Sequence, residues 1–142
     1  MSTISNLLKV KGKKVWSIGP ERSVFDALKL MAEKNIGALL VVDNDRPVGL
    51  ISERDYARKV ILKGHHSTEL KVADIMIRQV VCTQPDESVE ECMAIMTERH
   101  IRHLPVLEKG KVIGMVSIGD LVKAVIAEQQ FVIAQLEHYI SG

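Results

Sequence analysis

The chain has 142 residues, 46% hydrophobic and 26% charged, with 19 basic against 18 acidic side chains. That is the profile of an ordinary globular protein with a substantial core. A net charge of +1 and an aromatic content of 4% leave neither the phosphate-neutralising surface nor the stacking platform that nucleic-acid binding uses.

The opening Met1-Ser-Thr-Ile-Ser-Asn-Leu-Leu-Lys-Val has no long apolar core and no small-residue cleavage site, so no signal peptide is expected. No run approaches the roughly 20 apolar residues of a membrane span. Cys82 and Cys92 lack CxxC spacing and read as buried thiols of a reducing cytoplasm.

Residues 5–10 form a short apolar lead-in of about one helical turn. Residues 15–18 read as a strand, Gly19-Pro20 turns the chain, and Ser23 caps a helix carrying Val24, Ala27, Leu28 and Met31 on one face. Asn35-Ile36-Gly37 ends that helix. Residues 38–42 are aliphatic without polar alternation, which predicts a strand buried on both faces. A tight turn at 43–47 returns the chain through a strand at 48–51, and Ser52 opens a helix running toward Gly64. The loop Gly64-His-His-Ser-Thr is polar, and His65 and His66 read as solvated side chains in preference to metal ligands.

The pattern then repeats. Residues 72–76 match the lead-in, followed by a strand at 80–83, a helix at 88–99 begun by Ser88-Val-Glu-Glu91, strands at 103–107 and 112–116 around a turn at 108–111, and a helix from Ser117. Residues 15–60 align with 80–125 without a gap, and 13 of these 46 positions are identical, so the chain is a tandem duplication. The last helix outruns its counterpart. Leu121, Val122, Val125, Ile126, Gln129, Val132, Ile133, Leu136 and Ile140 make a stripe that one repeat cannot cover. A second subunit is the expected cover, in preference to the helix folding back.

Gly49-Leu-Ile-Ser52-Glu-Arg-Asp55 recurs as Gly114-Met-Val-Ser117-Ile-Gly-Asp120. Each junction reads as a capping box. A carboxylate beside the unpaired amides of a helix N-terminus can also accept from ribose hydroxyls, and an in-register pair of such junctions favours a ligand role.

The doubled β-α-β-β-α unit with Gly-x-x-Ser-x-x-Asp before each final helix resembles the CBS domain, named after cystathionine β-synthase, two of which form a Bateman module. Ile101-Arg-His-Leu-Pro-Val106, Val48-Gly49 and Ile113-Gly114 carry the same resemblance, which covers about Lys9 to Ala127. Ser52-Glu-Arg-Asp-Tyr-Ala-Arg-Lys-Val60 is similar to small stand-alone bacterial CBS pairs in particular. The resemblance implies a mixed α/β (α+β) fold with repeats at 9–64 and 72–127 and a C-terminal helical extension at 128–142. It further implies repeats packed about a pseudo-twofold axis, with two clefts for adenine nucleotides. By position, Asp55 and Asp120 take ribose hydroxyls, with Ser52 and Ser117 near sugar or phosphate. Adenine lies on Ile51 or Val116, near Ala38 or His103, with Val80 also lining. Arg54, Arg102 and His103 contact phosphate, which suits the planar guanidinium and a protonated imidazole. Arg54 aligns with Gly119, and Arg102-His103 with Gly37-Ala38, so the basic groups are expected to favour the cleft of Asp55.

No GxxxxGK[ST], GxGxxG, HExxH or GxSxG motif is present, and no metal set, so an enzyme is not expected. The expected function is a cytoplasmic adenine-nucleotide sensor needing no cofactor. Its ligand is AMP, ADP, ATP or NAD, with AMP or NAD foremost. It acts in trans on a regulated protein, as a homodimer, without nucleic-acid or membrane partners. The alternative is a ligand-free interaction and oligomerisation scaffold.

Overall fold

The computed structural model describes residues 2–141. In chain order the elements are α1 (Ile4–Lys11), β1 (Ser17–Ile18), α2 (Val24–Lys34), β2 (Ala38–Asp43), β3 (Arg46–Ser52) and α3 (Glu53–Tyr56), which continues as a π-helical turn, Ala57–Ile61. They are followed by α4 (Val72–Ile75), α5 (Val89–Arg99), β4 (His103–Glu108), β5 (Lys111–Ser117) and α6 (Ile118–Ser141). The result is a mixed α+β fold with two small sheets.

The chain forms two compact units that do not coincide with its sequence repeats. One is Val15–Val80; the other joins the segment up to Lys14 to everything from Val81 onward. Each lead-in helix thus belongs to a unit whose strands come from the other repeat.

In the Val15–Val80 unit the sheet order is β1-β2-β3, with β1 parallel and β3 antiparallel to β2. Ala38, Leu39, Leu40 and Val41 are all buried, as the unalternating run requires. Asn44 and Asp45 take φ of 50° and 63°, closing a two-residue hairpin turn. The Ser23 hydroxyl accepts from the Asp26 amide at 3.0 Å, and Asn35 ends α2 in the left-handed conformation. The helix after Ser52 differs from expectation. It is regular only to Tyr56, then widens into the π turn, where Val60 is fully buried and Leu62 N–H bonds the Ala57 carbonyl.

The second unit repeats the plan: Ser88 caps α5, His100 ends it with φ 55°, and Lys109-Gly110 forms the β4–β5 turn. The expected strand at 80–83 is absent, reduced to one parallel bridge between Thr83 and Val106. The cause is Pro105. In the first unit Leu40 N–H donates to the Trp16 carbonyl, and Pro105 stands at Leu40's aligned position without an N–H to give.

The lead-in helices seat against the strands at glycines. A β-carbon on Gly49 would lie 2.8 Å from the Ile77 carbonyl oxygen and 2.8 Å from Met76 Sδ; one on Gly114 would lie 2.8 Å from Leu8 Cδ2. Identity at 49 and 114 therefore reflects close approach. Leu8 precedes Val15 by seven residues and Met76 precedes Val80 by four, which lets α1 run 8 residues against 4 in α4.

α6 does not fold back. It is continuous over 24 residues; Leu121 is buried, Ile118, Ala124 and Val125 pack on the core, and residues 129–141 are all exposed.

Gly49→Ala is expected to destabilise by about 1–3 kcal/mol, and Gly114→Ala by less, because Gly49 meets backbone while Gly114 meets the end of a leucine side chain. Urea unfolding measures both.

Candidate functional site

Both Ser-x-x-Asp junctions fold as capping boxes. At the first, the Ser52 amide donates to Asp55 Oδ2 at 2.9 Å, the Ser52 hydroxyl to the same oxygen at 3.0 Å, and the Asp55 amide to Ser52 Oγ at 3.3 Å. At the second, the Ser117 amide donates to Asp120 Oδ2 at 2.8 Å and the Asp120 amide to Ser117 Oγ at 3.2 Å. In each sheet the serine pairs in register with the start of the preceding strand, Ser52 with Ala38 and Ser117 with His103. Glu53 N–H bonds the Gly37 carbonyl, and Ile118 N–H bonds the Arg102 carbonyl, so the junction backbones match.

The cations at the two carboxylates differ in origin. Lys59 Nζ lies 3.3 Å from Asp55 Oδ1 and donates to the Ile75 carbonyl at 2.9 Å. Lys59 is four residues beyond Asp55, a spacing readable in the sequence. At Asp120 the partner is Lys11, 2.6 Å from Oδ2, which also donates to the Met115 carbonyl. The extra turn of α1 supplies it, and Lys11 carried no motif signal. Asp55 is buried, and the Asp120 side chain is 20% exposed.

Burial alone would raise the Asp120 pKa; the Lys11 ammonium and the Ser117 amide and hydroxyl outweigh it and hold the carboxyl below its ordinary value. His103 is pulled below the usual imidazole range, first by burial, then by Lys11, with Arg102 adding to this and Asp120 opposing. Burial thus works against the protonated form that would suit a phosphate contact.

The other predicted residues are distributed as follows. Arg54 is half-buried on α3 in the Asp55 unit, while Arg102, exposed, and His103 share a unit with Asp120. Ile51 and Val116 are fully buried and belong to their units' cores, Ala38 is buried and Val80 half-buried. A concavity of about 790 Å³ lies elsewhere in the Val15–Val80 unit. Its charged lining of Arg22, Asp26, Lys29 and Glu33 includes the Arg22–Asp26 ion pair, the pattern of a solvated helix face. A smaller one, about 390 Å³, is lined by Gly37 and Glu53 beside the first junction. Among the described residues no three His, Cys, Asp or Glu side chains converge as a metal site, and no helix is long and apolar enough to cross a membrane.

The CBS domain family model matches residues 9–62 and 72–127, both halves of the duplication. The chain belongs to the CBS domain family. A putative signal-transduction protein with CBS domains from Burkholderia ambifaria is 51% identical in structural alignment, with a TM-score of 0.87 over 90% of this chain and 96% of that one. The mitochondrial CBS domain-containing protein CBSX3 of Arabidopsis thaliana is 40% identical over 99% of this chain and 73% of its own length. The CBS domain pair of MJ0100, solved in complex with 5'-methylthioadenosine and S-adenosyl-L-methionine, is 25% identical with a TM-score of 0.77 over 90% of this chain and 98% of that one. The duplicated Ser-x-x-Asp junctions of this chain are thus those of a CBS pair.

Lys11→Met should raise the Asp120 pKa in a carboxyl NMR titration. The Asp120 carboxyl is held low in the folded state, so the stability Lys11 confers is present above the unfolded carboxylate value and disappears as pH falls through the folded one. Wild type and Lys11→Met should therefore differ in stability at pH 7 and converge in acid.

Proposed function

We propose that this CBS pair is a regulatory module that binds an adenine nucleotide and acts in trans on a partner protein, as a cytoplasmic homodimer and not as an enzyme. The observation that carries the reading is the duplicated carboxylate held at a strand-to-helix junction by its cap and a lysine. The cap fixes the carboxyl group before ligand arrives, so ribose hydroxyls meet an ordered acceptor. The adenosine ligands of the MJ0100 pair support the same ligand class.

In this reading Asp55 and Asp120 accept from ribose hydroxyls, Ser52 and Ser117 stand beside the sugar, and Arg54, Arg102 and His103 contact phosphate. Ala38, Ile51, Val80 and Val116 border the adenine. AMP or NAD are the foremost ligands, with ADP and ATP in the same class. The Asp55 site is the tighter one. There the cap uses Oδ2 while Lys59 approaches Oδ1 at 3.3 Å, and Arg54 is close in sequence. At Asp120 the cap and a 2.6 Å ion pair share Oδ2, and Gly119 stands where Arg54 stands in the first repeat.

Ligand binding to the native state raises the melting temperature, with about 2.7 kcal/mol of stabilisation at a hundredfold excess over Kd. Scanning AMP, ADP, ATP, NAD and S-adenosylmethionine tests the sensor; no shift with any of them, in protein freed of co-purified nucleotide, would favour the scaffold. In calorimetry Asp55→Asn and Arg54→Ala should weaken AMP binding about tenfold or more, and Asp120→Asn by less. Asparagine keeps an acceptor for the cap, so these variants stay folded. Equal losses at Asp55 and Asp120 would remove the asymmetry.

A phosphate arriving at His103 raises a pKa that burial has lowered, so binding takes up a proton and tightens as pH falls. Wild-type AMP affinity should rise more steeply from pH 8 to pH 6 than that of His103→Gln; parallel profiles would remove His103 from the phosphate site.

A further inference from the structure

α6 presents two apolar stripes. Ile118, Leu121 and Val125 hold it to its own unit. The second is offset by one residue, about 100° around the helix, and comprises Val122, Ile126, Gln129, Ile133, Leu136 and Ile140. These alternate at spacings of four and three over the whole projecting helix, the heptad period of a coiled-coil seam. Isoleucine fills one core position at 126, 133 and 140, and valine, glutamine and leucine the other at 122, 129 and 136. The five apolar members are between 40% and 82% exposed. A heptad seam fits another helix of the same period and not a flat surface.

The flanking residues identify that helix and its direction. We propose that α6 pairs with α6 of a second copy of this chain as an antiparallel coiled coil centred near Phe131. The proposal rests on the homodimer reading above and specifies the shared face. In this register Val122 meets Ile140, Ile126 meets Leu136 and Gln129 meets Ile133 of the second copy. Lys123 then faces Glu137 of the second copy, twice by symmetry. Gln130 faces its own equivalent across the axis, within reach of Gln129, while Val132 meets Val132 and Val125 meets Tyr139. Every flanking charge finds its opposite and every flanking apolar residue another. The parallel arrangement sets Lys123 against Ile118 and Glu137 against Val132, stranding both charges on apolar neighbours. The seam spans about 28 Å of helix.

Sedimentation velocity on the full chain reads the assembly. Wild type should be dimeric, and Ile133→Asp, at a position 54% exposed and so without cost to the unit's core, should weaken the dimer at least a hundredfold. Lys123→Glu and Glu137→Lys should each weaken it about tenfold. Mixing those two proteins, or combining both changes in one chain, should restore wild-type affinity. A monomeric wild type would overturn the homodimer and this interface together. A dimer indifferent to Ile133→Asp would leave the homodimer standing on another face and overturn the coiled coil. A dimer broken by Ile133→Asp yet untouched by either charge reversal would overturn the antiparallel pairing.

Discussion

Two missing β-carbons govern the architecture. Because Gly49 and Gly114 have no side chain, a lead-in segment can lie directly on the middle of β3 or β5, where any other residue would intrude at 2.8 Å. That seat lets Leu8 and Met76 complete hydrophobic clusters built from the opposite repeat's strands and helices. The caps, the turns and the carboxylates at the strand ends all take their positions from a sheet held in this way.

The carboxylate junctions show one backbone device tuned in two ways. Both serines and both aspartates make the same reciprocal bonds, so the local fold at each site is nearly identical. What differs is the counter-charge. Lys59 comes from the next turn of the same helix and shares itself with a carbonyl of α4, whereas Lys11 arrives from the far N-terminus and bonds Asp120 closely. Electrostatics have diverged where geometry has not, and one duplication thereby yields two carboxylates with different counter-charges.

Most of the fold was legible in the sequence because its signals are local. Ser23 and Ser88 announce their helices, Asn35 and His100 occupy equivalent left-handed ends, and the unalternating runs at 38–42 and 103–107 are buried strands. Three features were not legible. Pro105 reads as one proline in a strand, yet the bond it removes belongs to a neighbour more than twenty residues earlier, and the strand at 80–83 shrinks to a bridge. The π turn after Tyr56 obeys no composition rule that the residues 57–61 display. The exchange of lead-in helices leaves only a faint trace, the three additional residues between Leu8 and Val15, and with it the role of Lys11 stays hidden. At the site itself, residue types and spacing identified the carboxylates, but the protonation of His103 depends on burial that only the folded unit reveals.

The exchanged lead-in segments also dictate the order in which the protein can be made. The first unit is complete only once Ile77 has left the ribosome, since that residue bonds Leu50 in both directions. The second holds the N-terminal helix but lacks most of its sheet until β5 is synthesised, so α1 waits through most of translation without its core. Cutting the chain in the polar loop near Gly64 separates two stretches of sequence, neither of which is a whole folding unit. The gene's repeat boundary is therefore not a place where the protein can be divided.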